Sequence, residues 1–339
     1  MSIEDELQAT INDLVHANKG ILAADESAPT IAKRFAAVDV QSTEDSRREY
    51  RSLIFATPDL GKHISGVILY EETLGQLSLD DIPIPKLLEN QGIVPGIKVD
   101  AGKGPLVNAP GDEITYGLDG LATRLEHYKA LGARFAKWRS VFHISDVQPS
   151  YQAIASNAEV LARYAADCQA LGIVPIVEPE VLIDGDHSIT RAAEVSEEVL
   201  RSVFGALHRH HVRCEWMVLK PSMVTPGKGA GKATPKQIAE ATLRVFRRVV
   251  PAAVPGIMFL SGGQSPEEST ANLNALNSMG TQPWELSFSY GRALQGPAQK
   301  AWAGERSNEE KAQAALIKRA RLNGLARSGS YSPKLENEN

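Results

Sequence analysis

The chain has few cysteines, no long apolar run and no excess of basic charge. Among 339 residues only Cys168 and Cys214 are cysteines, too few for a disulfide framework and consistent with a reducing compartment. No apolar stretch is long enough to cross a bilayer. The beginning, Met1-Ser2-Ile3-Glu4-Asp5-Glu6, is acidic and has neither the basic nor the apolar region of a signal peptide. A cytoplasmic protein is expected. The formal net charge of −5 supplies no global field that would draw the chain to nucleic acid or to membranes. Two further absences narrow the chemistry. No glycine-rich dinucleotide turn follows the first strand-like run. No histidine or cysteine has a ligand-spaced partner, and His208, His210 and His211 read most simply as a helix end, so no metal is expected.

What is present is alternation. An amphipathic helix is expected from Ile3 to about Asn18, with Ile3, Leu7, Ile11, Leu14 and Val15 on one face. Strand-like runs follow at Gly20–Asp25, Ile64–Tyr70, Val94–Val99, Ala133–Phe142, Val174–Val181, Cys214–Leu219, Gly256–Ser261 and Leu286–Tyr290. Longer stretches of helical period separate them, among them Ile154–Leu171, Val195–His211 and Thr234–Val249. Eight strand-helix repeats predict an α/β chain folded as one TIM (β/α)8 barrel over residues 1–328, with the extra N-terminal helix. A doubly wound open sheet is the rival architecture. Residues 329–339, rich in small and charged types, are expected as a flexible C-terminal tail.

Polar residues gather where these strands end: Asp25, Lys98, Lys137, Arg139, Glu178, Glu180, Lys220 and Arg292. Any one of them could be a solvated strand end, but repetition over six strands points to the mouth of a barrel enzyme. Side chains two apart on a strand share a face, so Lys137 pairs with Arg139 and Glu178 with Glu180. Lys220 ends an apolar run, and Met217, Leu219, Pro221 and a nearby Lys137 would favour a neutral, nucleophilic amine. A structural lysine paired with Glu178 is the alternative. Glu178 and Glu180 suit acid/base work or a salt-bridged balance, and Asp25 suits a base or a helix cap. Ser261-Gly262-Gly263 and Tyr290-Gly291-Arg292 follow the last two strands, where barrels hold phosphate, with a plain turn as the alternative for either loop. Pro226–Lys232 has the wrong glycine spacing for a phosphate loop and reads as a flexible connection.

Several of these segments, in this order, resemble class I fructose-bisphosphate aldolase over nearly the whole chain. They are Gly20-Ile-Leu-Ala-Ala-Asp-Glu-Ser27, Gly96-Ile-Lys-Val-Asp100, Ala136-Lys-Trp-Arg139, Pro175-Ile-Val-Glu-Pro-Glu180, Leu219-Lys-Pro221, Met223-Val-Thr-Pro-Gly227, Phe259-Leu-Ser-Gly-Gly-Gln264 and Phe288-Ser-Tyr-Gly-Arg-Ala-Leu294. The resemblance implies reversible cleavage of fructose 1,6-bisphosphate to dihydroxyacetone phosphate and glyceraldehyde 3-phosphate, in glycolysis and gluconeogenesis. It implies a Schiff base on Lys220, no metal or other cofactor, and a homotetramer. Glu178 would serve in carbinolamine dehydration, with Asp25, Lys137, Arg139 and Glu180 around it. Ser261, Gly262, Gly263, Ser289, Gly291 and Arg292 would hold the ketone-side phosphate. Ser27, Thr30, Arg34 and Lys98 would contact the rest of the sugar and the distal phosphate. Animal members end in a tyrosine that assists proton transfer to the enamine; Tyr331 matches an internal tyrosine of the family instead. Two rivals remain at this stage: another Schiff-base lyase of transaldolase type, for which Lys98 and Ser27 would be idle, and a scaffold that needs no amine.

Overall fold

The computed structural model describes residues 2–338. Eight parallel strands close into a barrel: β1 Gly20–Ala24, β2 Ile64–Leu69, β3 Val94–Lys98, β4 Phe135–Phe142, β5 Val174–Val181, β6 Val218–Leu219, β7 Gly256–Phe259 and β8 Glu285–Tyr290. Each strand pairs with its neighbours in the chain, and β1 closes the ring on β8 through Ile21–Ser289 and Leu22–Tyr290. The expected barrel, and not the open sheet, is therefore the fold. Helices such as Tyr151–Ala170, Ile189–Arg209 and Pro235–Val249 surround it. Their apolar stripes cover the outward side chains of strands that are buried on both faces, as parallel strands require.

The lower end of the barrel is closed by the first helix, Ile3–Leu14. Ser2 and Asp5 start it with a reciprocal capping box, which satisfies two otherwise unpaired N–H groups. Its Leu7, Ile11 and Leu14 pack with Ile21, Val94, Phe135, Val174, Ile176, Val218 and Met258 in one buried cluster. The Phe135 ring fills this layer because the neighbouring strands offer no side chain there. A Cβ on Gly96 would lie 2.2 Å from Phe135 Cζ, and one on Gly66 3.2 Å from its Cε1. Chemistry is thereby confined to the opposite, carboxyl end.

Two segments differ from the sequence reading. Cys214–Trp216 is a 3-10 turn, and only Val218–Leu219 joins the sheet. The Gln169 amide donates to the carbonyls of Arg213 and Trp216, at 2.8 and 3.1 Å. Trp216 Nε1 donates to Gln8 at 3.2 Å, so these groups are engaged by side chains instead of strand partners. A two-stranded antiparallel hairpin, Lys103–Pro105 with Glu113–Thr115, stands between β3 and β4 and was not expected. Of the expected tail, residues 329–338 are described and Asn339 lies outside the described residues. The Tyr331 amide donates to Asn274 Oδ1 at 2.9 Å, and its hydroxyl to Glu336 Oε1 at 2.8 Å. Glu336 also meets the buried Arg319 guanidinium at 2.5 Å.

Candidate active site

The carboxyl ends of the strands open into one cleft of about 1140 Å³. All sixteen residues singled out above line it: Asp25, Ser27, Thr30, Arg34, Lys98, Lys137, Arg139, Glu178, Glu180, Lys220, Ser261, Gly262, Gly263, Ser289, Gly291 and Arg292. The pleat explains the pairs. Lys137 and Arg139 share a face of β4, Glu178 and Glu180 share a face of β5, and Trp138 between the first two is fully buried on the other side.

Charges alternate at the bottom of the cleft. Lys220 Nζ lies 3.1 Å from Glu178 Oε1, and Lys137 Nζ lies 3.2 Å from Glu178 Oε2. Lys137 also meets Asp25 Oδ2 at 2.7 Å. Lys98 Nζ contacts Asp100 Oδ1 at 2.7 Å and the Asp100 carbonyl at 2.6 Å. Arg139 Nε meets Glu180 Oε2 at 2.5 Å. Glu178 and Glu180 therefore each have their own cations and are not arranged as two acids facing each other alone. Lys137, Glu178 and Lys220 are all buried, and a buried charge needs such partners to be tolerated.

Protonation follows from this arrangement. Burial pushes the Asp25 carboxyl up, but the combined pull of Lys137, Lys220 and Lys98 is stronger and holds it well below the ordinary carboxylate range. Burial likewise favours neutral Lys137, yet Asp25, Glu178 and Asp100 outweigh it and keep the ammonium charged far above its usual range. Asp25 and Lys137 are thus a fixed ion pair at neutral pH. Lys220 shares the inward side of its strand with Val218, whereas Met217 and Leu219 point the other way into the outer core, so the strand's own apolar side chains on the cleft side are limited to Val218.

The other side of the mouth is built to receive an anion. Gly262 and Gly263 have φ of +21° and +80°, the second in the left-handed region that favours glycine. A Cβ on Gly263 would come within 2.7 Å of Ile183 Cδ1. Ser289 is buried, and its Oγ finds no hydrogen-bond partner among the described residues. A buried hydroxyl of this kind is expected to meet a ligand or water. Directly after it the helix Arg292–Trp302 begins, presenting its positive end.

The sequence reading missed several cleft residues. Asp100 was quoted in a motif but not singled out, although it follows Lys98 by two and the same face rule reaches it. Glu26, Lys103 and Arg124 also line the cleft; Lys103 comes from the unexpected hairpin. No group of three or more His, Cys, Asp or Glu able to hold a metal ion occurs among the described residues. No helix among them is long and apolar enough to cross a membrane.

A closed parallel barrel with a buried amine and carboxylates at its strand ends, beside a glycine-lined anion cradle, has the layout of a (β/α)8 barrel enzyme. Comparison with known proteins carries this further. The family model for class-I fructose-bisphosphate aldolase matches residues 6–339. Fructose-bisphosphate aldolase of Drosophila melanogaster is 53% identical over 331 residues, 97% of this chain and 92% of that protein. A probable class 1 fructose-bisphosphate aldolase of Xanthomonas campestris is 51% identical over 333 residues, 98% of this chain and 99% of that protein. A crystal structure of the Plasmodium falciparum aldolase, in complex with TRAP and a small-molecule inhibitor, superposes with a TM-score of 0.96. It is 48% identical and covers 97% of this chain and 96% of its own. The chain belongs to the class I fructose-bisphosphate aldolase family, lyases that cleave fructose 1,6-bisphosphate by way of a Schiff base.

Proposed function

We propose that Lys220 carries the imine of this aldolase and that Glu178 moves the protons that make and break it. The observation that supports this is the buried 3.1 Å contact between Lys220 Nζ and Glu178 Oε1. Glu178 takes a proton from the Lys220 ammonium, and the freed amine attacks the C2 ketone. The carbinolamine hydroxyl receives that proton back from Glu178 and leaves as water. The resulting iminium is an electron sink beside the C3–C4 bond. Ionised Asp25 accepts the proton of the C4 hydroxyl, the C3–C4 electron pair moves into the iminium, and the aldehyde departs. An enamine remains on Lys220; its protonation and hydrolysis release dihydroxyacetone phosphate.

Lys137 stays charged throughout, holds Asp25 in place and sits 3.2 Å from Glu178 Oε2. The partnerless Ser289 hydroxyl, the Gly262–Gly263 turn, Ser261, Gly291 and Arg292 bind the ketone-side phosphate, supported by the helix end there. Ser27, Thr30, Arg34 and Lys98 contact the rest of the sugar and the distal phosphate. Arg139 is buttressed by Glu180. These cations, focused in a cleft, offset a substrate of about four negative charges.

No metal or other cofactor is needed in this scheme, because the protonated imine supplies the electron sink. Cleavage by wild type that persists in EDTA and is lost in Lys220→Met supports the scheme. Cleavage by Lys220→Met at the wild-type rate would refute it. A cytoplasmic location is proposed with it, as among the relatives there is a cytosolic isozyme of Arabidopsis thaliana. We also propose a homotetramer, a state that sedimentation would show. Val107, Val147 and Tyr151 are 75%, 79% and 83% exposed, an apolar exposure that suits a contact between copies. Neither nucleic acid nor a membrane is a proposed partner.

A further inference from the structure

A carboxylate lies buried in a cleft that must accept anions, and the scheme above gives it no task. Glu26 follows Asp25, and its side chain is only 4% exposed. One oxygen, Oε1, is ion-paired with Arg34 Nη1 and accepts from Gln295 Nε2 at 2.7 Å. The same Gln295 amide donates to the Ala23 carbonyl at 2.7 Å, while its Oε1 accepts from Tyr50 at 3.3 Å. Gln295 is therefore fixed in orientation, and it belongs to the helix that begins with Arg292. Arg51, itself buried, donates to the Glu26 carbonyl at 2.9 Å. Held in this way, Arg34 lies against the loop after β8: a Cβ on Gly291 would be 3.7 Å from Arg34 Nη2 and 3.4 Å from the Ala23 carbonyl.

We infer that Glu26 is a positioning residue for anion binding, which presets the Arg34 guanidinium beside Gly291 and ties it through Gln295 to the helix bearing Arg292. An unrestrained arginine would lose side-chain freedom on every binding event; one already fixed does not. The inference sets Arg34, grouped above with the distal contacts, next to the ketone-side cradle at Gly291, and it rests on the proposed reading of that cradle as a phosphate site. It has a sign that distinguishes it from simple electrostatics. Removing a negative charge near an anion site should strengthen anion binding by Coulomb's law, whereas losing the restraint on Arg34 should weaken it.

The test compares KM and kcat for fructose 1,6-bisphosphate, and inhibition by inorganic phosphate, in wild type, Glu26→Gln, Glu26→Asp, Arg34→Ala and the double variant Glu26→Gln/Arg34→Ala. Loss of one charge-assisted contact predicts that Glu26→Gln raises KM and the phosphate inhibition constant by about tenfold, with kcat changed less than about twofold. Glu26→Asp, which keeps the charge but shortens the reach, should shift both constants in the same direction and also covers the case in which the glutamine variant does not fold. On the Arg34→Ala background the glutamine change should add nothing. A KM that falls or stays constant, or effects that multiply in the double variant, would overturn the inference. Borohydride reduction of wild type with dihydroxyacetone phosphate separates the two readings. Absence of an adduct at Lys220 counts against the imine scheme, while the comparison of binding constants still decides the role of Glu26.

Discussion

Glu178 reaches the Lys220 amine at 3.1 Å through Oε1, and its other oxygen faces Lys137 at 3.2 Å. One oxygen is thus available for proton exchange with the amine while the other is braced by a permanent cation. Replacing Glu178 by glutamine keeps the size of the side chain and removes the exchangeable proton. The expected result is a fall in kcat of about 10²- to 10⁴-fold, with imine formation in single-turnover experiments slowed as well. Asp25→Asn should separate these steps: it should still form the imine but fail to cleave the C3–C4 bond.

The Asp25–Lys137 pair makes a prediction about pH. Asp25 has a lower pKa folded than its unfolded value of about 3.9. Its stabilisation is therefore present above that value and is lost as pH falls toward the folded one. Lys137 has a raised pKa, so its share is complete below about 10.4 and fades only at still higher pH. The stability difference between wild type and Asp25→Asn, from urea midpoints, should be flat from about pH 5 to 9 and shrink below about pH 4. A difference that grows on acidification would contradict the assignment.

The packing at the base of the barrel is testable without touching the chemistry. Gly96→Ala would put a methyl group 2.2 Å from Phe135 Cζ, and Phe135 is fully buried. Displacing that ring should cost about 1–3 kcal/mol, measured by denaturant unfolding. The folded fraction should retain cleavage activity, because the cleft is at the other end.

Removing residues after Ser330 deletes Glu336 and leaves the buried Arg319 guanidinium without its carboxylate, although its bond to the Pro266 carbonyl at 2.9 Å remains. Stability should drop by roughly 1–3 kcal/mol. Every barrel residue of the proposed site remains, so adduct formation on Lys220 should persist. Loss of the adduct in this truncation would show that the segment reaches the chemistry directly.

Much of this architecture is legible in the chain because strands have a period of two and their ends are marked by charge. That rule alone sends Lys137 with Arg139, and Glu178 with Glu180, into one mouth. Asp100 was within reach of the same rule. Glu26 was not: its partners Arg34 and Gln295 are 8 and 269 positions away, and only barrel closure brings Gln295 beside it. The hairpin of Lys103–Pro105 and Glu113–Thr115 consists of three-residue strands, too short for a hydrophobic alternation to appear. Cys214–Trp216 read as strand because it is apolar at its end. Its tryptophan bonds Gln8 of the first helix, and Gln169 donates to the carbonyls of Trp216 and of Arg213 just before the segment. These are tertiary contacts that no local period encodes.

The central claim is a covalent one, and borohydride trapping tests it most directly. The enzyme is incubated with dihydroxyacetone phosphate, reduced, digested and mapped by mass, with and without EDTA. The account predicts one reduced adduct on the peptide bearing Lys220, equal in both conditions and absent from Lys220→Met. An adduct on Lys137 or Lys98 with Lys220 unmodified, or no adduct at all, would contradict it.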